Sequence, residues 1–142
     1  MPTRPLLAPA LAAAALALAA LAACEMATLA DEGPARPTSL RFSLEPENSL
    51  AGQPISPSVA VTVFDNFGDT VFSSTATIRL SIVFGTGNPS AKLHGDSVAG
   101  AVNGTALFTN LSIDSAGTAY RLLATSAPLG SALSDSFNVA GP

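Results

Sequence analysis

The chain has no tryptophan, one cysteine, one histidine and one tyrosine among its 142 residues, and only 11% of it is charged. A single cysteine excludes an intrachain disulfide framework. One cysteine with one histidine also excludes a Cys/His zinc centre, which needs several such ligands at short spacing. A Ser–His–Asp triad has one imidazole to draw on, that of His94. Its neighbours, Leu93-His94-Gly95-Asp96, read as a strand end and turn without a nucleophile elbow or oxyanion glycine motif. His94 is therefore expected to face solvent or cap a turn, and no catalysis is expected. Basic residues are scarce as well: 6 Lys and Arg stand against 10 Asp and Glu, for a formal net charge of −4. Without a basic patch the chain has no electrostatic means of holding nucleic acid or anionic headgroups. At this length one domain is expected.

What is present begins with an address. Met1 to Pro5 carry one charged side chain, Arg4, and residues 6–23 (LLAPALAAAALALAALAA) contain no charged or strongly polar group. A cationic start, an apolar centre and small residues before a cleavage point form a secretory signal. The run meets the lower length limit of a membrane span. However, Pro9 interrupts it, alanine supplies little hydrophobicity, and the next charges, Glu25, Asp31 and Glu32, form no basic stop-transfer cluster. Leu21-Ala22-Ala23-Cys24 resembles the bacterial lipobox, a Leu and two small residues before a lipidated cysteine. The resemblance implies cleavage before Cys24, a diacylglycerol on its sulfur and an acylated new amine, hence a stable membrane anchor, because two or more acyl chains hold where one is marginal. Glu25 stands where Asp is the familiar retention signal, so the expected location is the bacterial cell envelope, at the outer membrane or cell surface. Residues 25–37 (EMATLADEGPARP), with Gly33, Pro34 and Pro37, show no periodicity and read as a flexible spacer. Fully extended it reaches at most about 40–47 Å. The expected organisation is thus a leader over 1–23, a lipidated cysteine and linker over 24–37, and a domain over 38–142.

From Thr38 onward the pattern has a period of two. Leu40, Phe42 and Leu44 alternate with polar residues until Pro46, and Val59, Val61 and Val63 do so before Asp65-Asn66-Phe67-Gly68-Asp69. Ile78, Leu80 and Ile82 follow, then Ala106 and Phe108, then Leu111 and Ile113 after a one-residue slip that marks a bulge or strand end. Tyr120, Leu122 and Ala124 alternate again, as do Phe137 and Val139. No apolar stripe of period 3.6 follows Cys24, and all eight later prolines fall between or outside these runs. About seven strands in about 100 residues predict an all-β two-sheet sandwich.

Ala51-Gly52-Gln53, the run Val59–Asp69, Ala101-Val102-Asn103-Gly104-Thr105-Ala106-Leu107-Phe108 and the stretch from Leu111 to Leu122 resemble bacterial Ig-like repeats of surface and adhesin proteins. The resemblance runs from about Leu40 to Val139 and implies an Ig-like sandwich, but it is poorly specific for activity. Asp114-Ser-Ala followed by Tyr120-x-Leu122 also resembles the tyrosine corner of immunoglobulin domains, with Leu122 where the disulfide cysteine would stand. That implies a buried Tyr120 ring whose hydroxyl bonds backbone at the preceding corner. The chain departs from the immunoglobulin pattern in lacking the cysteine pair and the core tryptophan, and from bacterial repeats in having one copy. Asp65, Asn66 and Asp69 supply oxygens for calcium in principle, yet a hairpin turn accounts for them without metal. Asn103 and Asn110 begin glycosylation-type triplets that read more simply as turn residues. Phe67 and Phe72 flank the Gly68 turn; they are expected to pack against the end of the sandwich, and if exposed they offer faces for sugar rings or a protein partner. The expectation is a non-catalytic, lipid-anchored module without cofactor. Its job is structural or adhesive, touching protein or polysaccharide at the cell surface, with a carbohydrate- or calcium-dependent ligand-binding module as the alternative.

Overall fold

In a computed structural model that describes residues 33–142, strands begin at Pro37 and no helix occurs among the described residues. The strands are β1 (Pro37–Leu44), β2 (Ser49–Leu50), β3 (Val59–Asp65), β4 (Thr77–Ile82), β5 (Leu93–His94), β6 (Val98–Gly100), β7 (Thr105–Phe108), β8 (Ser112–Ile113), β9 (Gly117–Tyr120), β10 (Leu122–Thr125), β11 (Ser131–Leu133) and β12 (Phe137–Ala140). One layer is the antiparallel sheet β1-β3-β7. The other is built from β11-β10-β4-β6 and from β2-β12-β9, and β5-β8 is a separate two-stranded sheet. One residue, Arg121, separates β9 from β10, and residues 134–136 separate β11 from β12. Each pair is one long pass interrupted by an irregularity, which is why twelve short segments stand where about seven strands were expected.

The irregularities have identifiable replacements for their lost ladder bonds. Ala119 has φ 57°, and its N–H donates to Asn138 Oδ1 at 2.9 Å. Leu122 N–H donates to Ser134 Oγ at 2.8 Å while Leu122 O accepts from Ser134 N–H at 2.9 Å. The first pass changes sheets: β1 pairs with β3, whereas β2 lies parallel to β12. Pro46 sits in the crossing and cannot donate a ladder bond. Side chains fill in, with Glu45 Oε2 accepting from Asp135 N–H at 2.9 Å and Asn48 Oδ1 from Asn138 N–H at 2.8 Å.

Val59, Val61 and Val63 of β3 are fully buried and share the core with Leu40, Ile78, Leu80, Ala106, Phe108, Leu111, Ile113, Leu122, Ala124, Phe137 and Val139. The slip between Phe108 and Leu111 is a strand end, after which both Leu111 and Ile113 point inward. Leu44 departs from its expected inward position and is exposed, because a register shift between Phe42 and Leu44 reverses the alternation there. Ala60 and Thr62 lie on the opposite face of β3 from the valines yet are buried by their strand neighbours: Thr62 Oγ1 is 2.9 Å from Ser43 Oγ and 2.8 Å from Thr105 Oγ1.

Tyr120 closes the corner before the β9/β10 pass. Its side chain is fully buried, its hydroxyl donates to Ser115 O at 2.8 Å, and its ring lies 6.0 Å from that of Phe137. Gly87, at φ +62°, runs so close beneath the ring that a Cβ there would enter it. Tyr120→Phe is expected to lose about 0.5–1.5 kcal/mol of unfolding free energy, the net worth of one hydrogen bond. Gly87→Ala, which both overpacks the ring and strains the backbone, is expected to lose about 1–3 kcal/mol or more. Urea unfolding of both variants checks the magnitudes.

Partial burial raises the Glu45 carboxyl above its ordinary value of 4.5; the Asp135 N–H bond opposes this and the Asp135 charge adds to it. An acid with a raised folded pKa stabilises most below its ordinary value and loses that contribution as pH rises through the folded one. Glu45→Gln keeps an acceptor for Asp135 N–H without the charge. It is expected to be more stable than the native chain at neutral pH, with the difference vanishing below pH 4.5. Unfolding midpoints measured across pH test the sign.

Candidate functional site

Three polar or aromatic clusters bring together the residues that carry chemistry. The first brackets the β5-β8 pair. Asp114 Oδ1 accepts from Lys92 N–H and from Ser115 Oγ–H, each at 2.9 Å, and Asp114 Oδ2 lies 3.2 Å from His94 Nε2. Asp114 N–H in turn donates to Lys92 O at 3.2 Å, so the two segments hold each other through backbone and side chain together. The Lys92 N–H, followed by His94 and the Ser115 hydroxyl, lowers the Asp114 carboxyl from 3.8 to about 2. One turn further along, Asp96 N–H and Asp96 Oδ2 engage the Asn110 side-chain amide at 2.9 Å each.

A serine, a histidine and an aspartate thus meet, but in the wrong order for nucleophile activation. The Ser115 hydroxyl is committed to Asp114, and no bond joins it to His94. The side chains of His94 and Asp114 are 56% and 38% exposed, so water rather than a preorganised cavity surrounds the pair. The cluster is a brace between two chain segments. Throughout the described residues one buried side-chain polar atom, Ser49 Oγ, lacks a hydrogen-bond partner.

The second cluster is the loop Asp65–Asp69 after β3. Asp65 Oδ1 accepts from Phe67 N–H at 2.8 Å and Asp69 N–H at 2.9 Å, an Asx-type closure that turns the chain without a cation. Asn66 Oδ1 accepts from Arg36 N–H at 2.8 Å, and Asn66 N–H donates to Arg36 O at 3.1 Å. The carboxylate of Asp65 and the amide oxygen of Asn66 are therefore both used by backbone donors. No group of three or more His, Cys, Asp or Glu side chains suited to a metal occurs among the described residues. The Arg36–Asn66 clasp also draws the end of the expected spacer onto the domain, and Pro37 already pairs with Asp65. Proline spacing alone carried no signal for that clasp.

The third cluster is aromatic. Phe67 is 49% and Phe72 72% exposed, on the same loop. Asn103, at φ 52°, and Gly104, at φ 81°, make a two-residue turn bridged by Val102 and Thr105, as the left-handed pair of a type I′ hairpin requires. That turn packs against the same loop, with Gly104 O accepting from Val63 N–H at 2.8 Å and no room for a Cβ between Gly104 and Val71 O. It presents Val102, 73% exposed. Alternation did not single out Val102, because the turn sends β6 and β7 to different sheets. Leu21, Ala22, Ala23 and Cys24 lie outside the described residues.

Among solved structures, the chain is similar to domains 4 and 5 of the S-layer protein SbsC, with a TM-score of 0.46 and 14% identity over 75% of this chain and 54% of that one. The chain spans about half the length of that structure. No family model and no curated protein matches it. The fold assignment therefore rests on the strand pairings themselves.

The brace around Asp114 makes a pH prediction. A carboxyl with a lowered folded pKa stabilises above its ordinary value and loses that contribution as pH falls through the folded one. Asp114→Asn is expected to be less stable than the native chain above about pH 4, with the gap closing as pH falls from 3.8 to about 2. Thermal unfolding at stepped pH reads this directly.

Proposed function

We propose that the protein is a non-catalytic, lipid-anchored module of the bacterial cell envelope, in which an Ig-like sandwich is presented at the membrane as a structural or adhesive unit. The observation that carries this reading is Leu21-Ala22-Ala23-Cys24 at the end of an apolar leader, with no other cysteine to compete for the lipid. A diacylated, N-acylated cysteine holds a protein on a membrane stably, at about 0.8 kcal/mol per buried methylene. Glu25, in place of the Asp that signals retention, favours the outer membrane or cell surface.

The domain supports a role in contact instead of turnover. Its one serine–histidine–aspartate meeting is an exposed brace, and its Asp65 loop is closed by its own backbone. The longest strand at a sheet edge, β1, lies beside β11, and β6 lies beside β7, so edges of one layer abut edges of the other. Exposed side chains are thus the means of contact in this reading, in preference to strand addition.

Mass spectrometry of protein extracted from membranes is expected to find the mature chain beginning at Cys24 with a diacylglycerol and a third acyl group. Cys24→Ser is expected to abolish processing at that bond and leave no lipid-modified form. An unmodified Cys24, or a mature start elsewhere, would overturn the anchor.

A further inference from the structure

We propose that the end of the sandwich carrying Phe67, Phe72 and Val102 rests on the lipid bilayer to which the chain is anchored, so that the domain stands end-on with its opposite end outward. This deepens the anchored reading above and rests on it. Three observations converge on the same end of the molecule.

The chain enters the domain there. Pro37, the first residue of β1, pairs with Asp65, the last of β3, and Arg36 is clasped to Asn66 through both backbone groups. The clasp fixes the point at which the spacer leaves the domain beside the Asp65–Asp69 loop. The 11 residues between Cys24 and Arg36 reach at most about 36–40 Å. A tether of that length keeps this end close to the headgroups and gives its surface a high effective concentration of lipid.

The same end exposes three large apolar side chains among its polar ones. Phe67 and Phe72 lie on the loop that follows β3, and Val102 on the turn that packs against Val71. Apolar and aromatic side chains projecting from a loop bury their surface at the boundary between headgroups and acyl chains. The charges nearest them, Arg36 against Asp65 and Asp69, leave no net positive charge, so the contact draws nothing from anionic lipid and does not depend on low salt.

The far end supplies an internal contrast. Phe84 follows β4, whose last residue, Ile82, pairs with Leu122, while Thr77 at the start of β4 lies on the loop side. Phe84 is fully exposed, at 102%, and sits at the end away from the tether. If any exposed aromatic sufficed for lipid contact, both ends would make it; the exit point of the tether favours the first.

Because the chain has no tryptophan, Phe72→Trp and Phe84→Trp each introduce a unique fluorophore at an exposed aromatic position. The lipidated full chain of each variant is reconstituted into phosphatidylcholine vesicles with and without brominated acyl chains. The Phe72→Trp protein is expected to show blue-shifted emission and loss of intensity with brominated lipid, at low and high salt alike. The Phe84→Trp protein is expected to emit as in water and to be quenched only by an aqueous quencher. Vesicle flotation reports on the anchor separately: failure to float overturns the anchor and this contact with it. Flotation with both fluorophores equally open to water overturns the contact alone. A blue shift at position 72 without quenching by brominated lipid means that a second copy covers this end, and also overturns it.

Discussion

No covalent cross-link reaches the sandwich, since the one cysteine precedes it, and apolar burial between two sheets is what everything else depends on. The valines of β3 share one buried cluster with Ile78, Leu80, Leu122 and Ala124, all essentially inaccessible to water. At about 1.5–3 kcal/mol per buried side chain, such a face offsets a large share of the ordering entropy, and it does so only while the register holds. A one-residue slip anywhere in β3 would move Val59, Val61 and Val63 outward together.

Once that burial is in place, the polar groups serve geometry. At several places where a strand bends or changes sheets a side chain stands in for the ladder: Glu45 and Asn48 at the crossing, Asn138 at the Ala119 bulge, Ser134 beside Leu122. The Asp114 brace and the Tyr120 hydroxyl do the same at the corner before the long β9/β10 pass. Polar residues committed in this way have little capacity left for a ligand or a reaction. Apolar side chains also remain exposed, with Phe67, Phe72 and Val102 together at one end and Phe84 at the other.

Much of the architecture was legible in alternation. Where a strand lies across a sandwich with one face inward, its period of two is forced by the pleat, and Val59–Val63, Ile78–Leu80 and Leu122–Ala124 show it plainly. Leu44 was not legible, because a bulge is a backbone event that leaves the residue types unchanged. Among candidate site residues, Phe67 and Phe72 depart from the expected packing against the sandwich end and stand exposed, because residue type alone does not say whether a turn aromatic folds back onto the sheets. The meeting of His94 with Asp114 and Ser115 was not legible either, since 20 residues separate the first two in sequence.

The amino-acid order by itself determined the class of the fold, the alternating cores of its longer strands and the turn at Asn103-Gly104, because pleat geometry and left-handed backbone angles select residue types locally. Only the tertiary structure decided which distant loops share an end of the molecule. Whether Arg36 meets Asn66, and whether Val102 joins the Phe67–Phe72 loop, depends on how strands from separate parts of the chain pair across the sheets, and no local preference encodes that pairing.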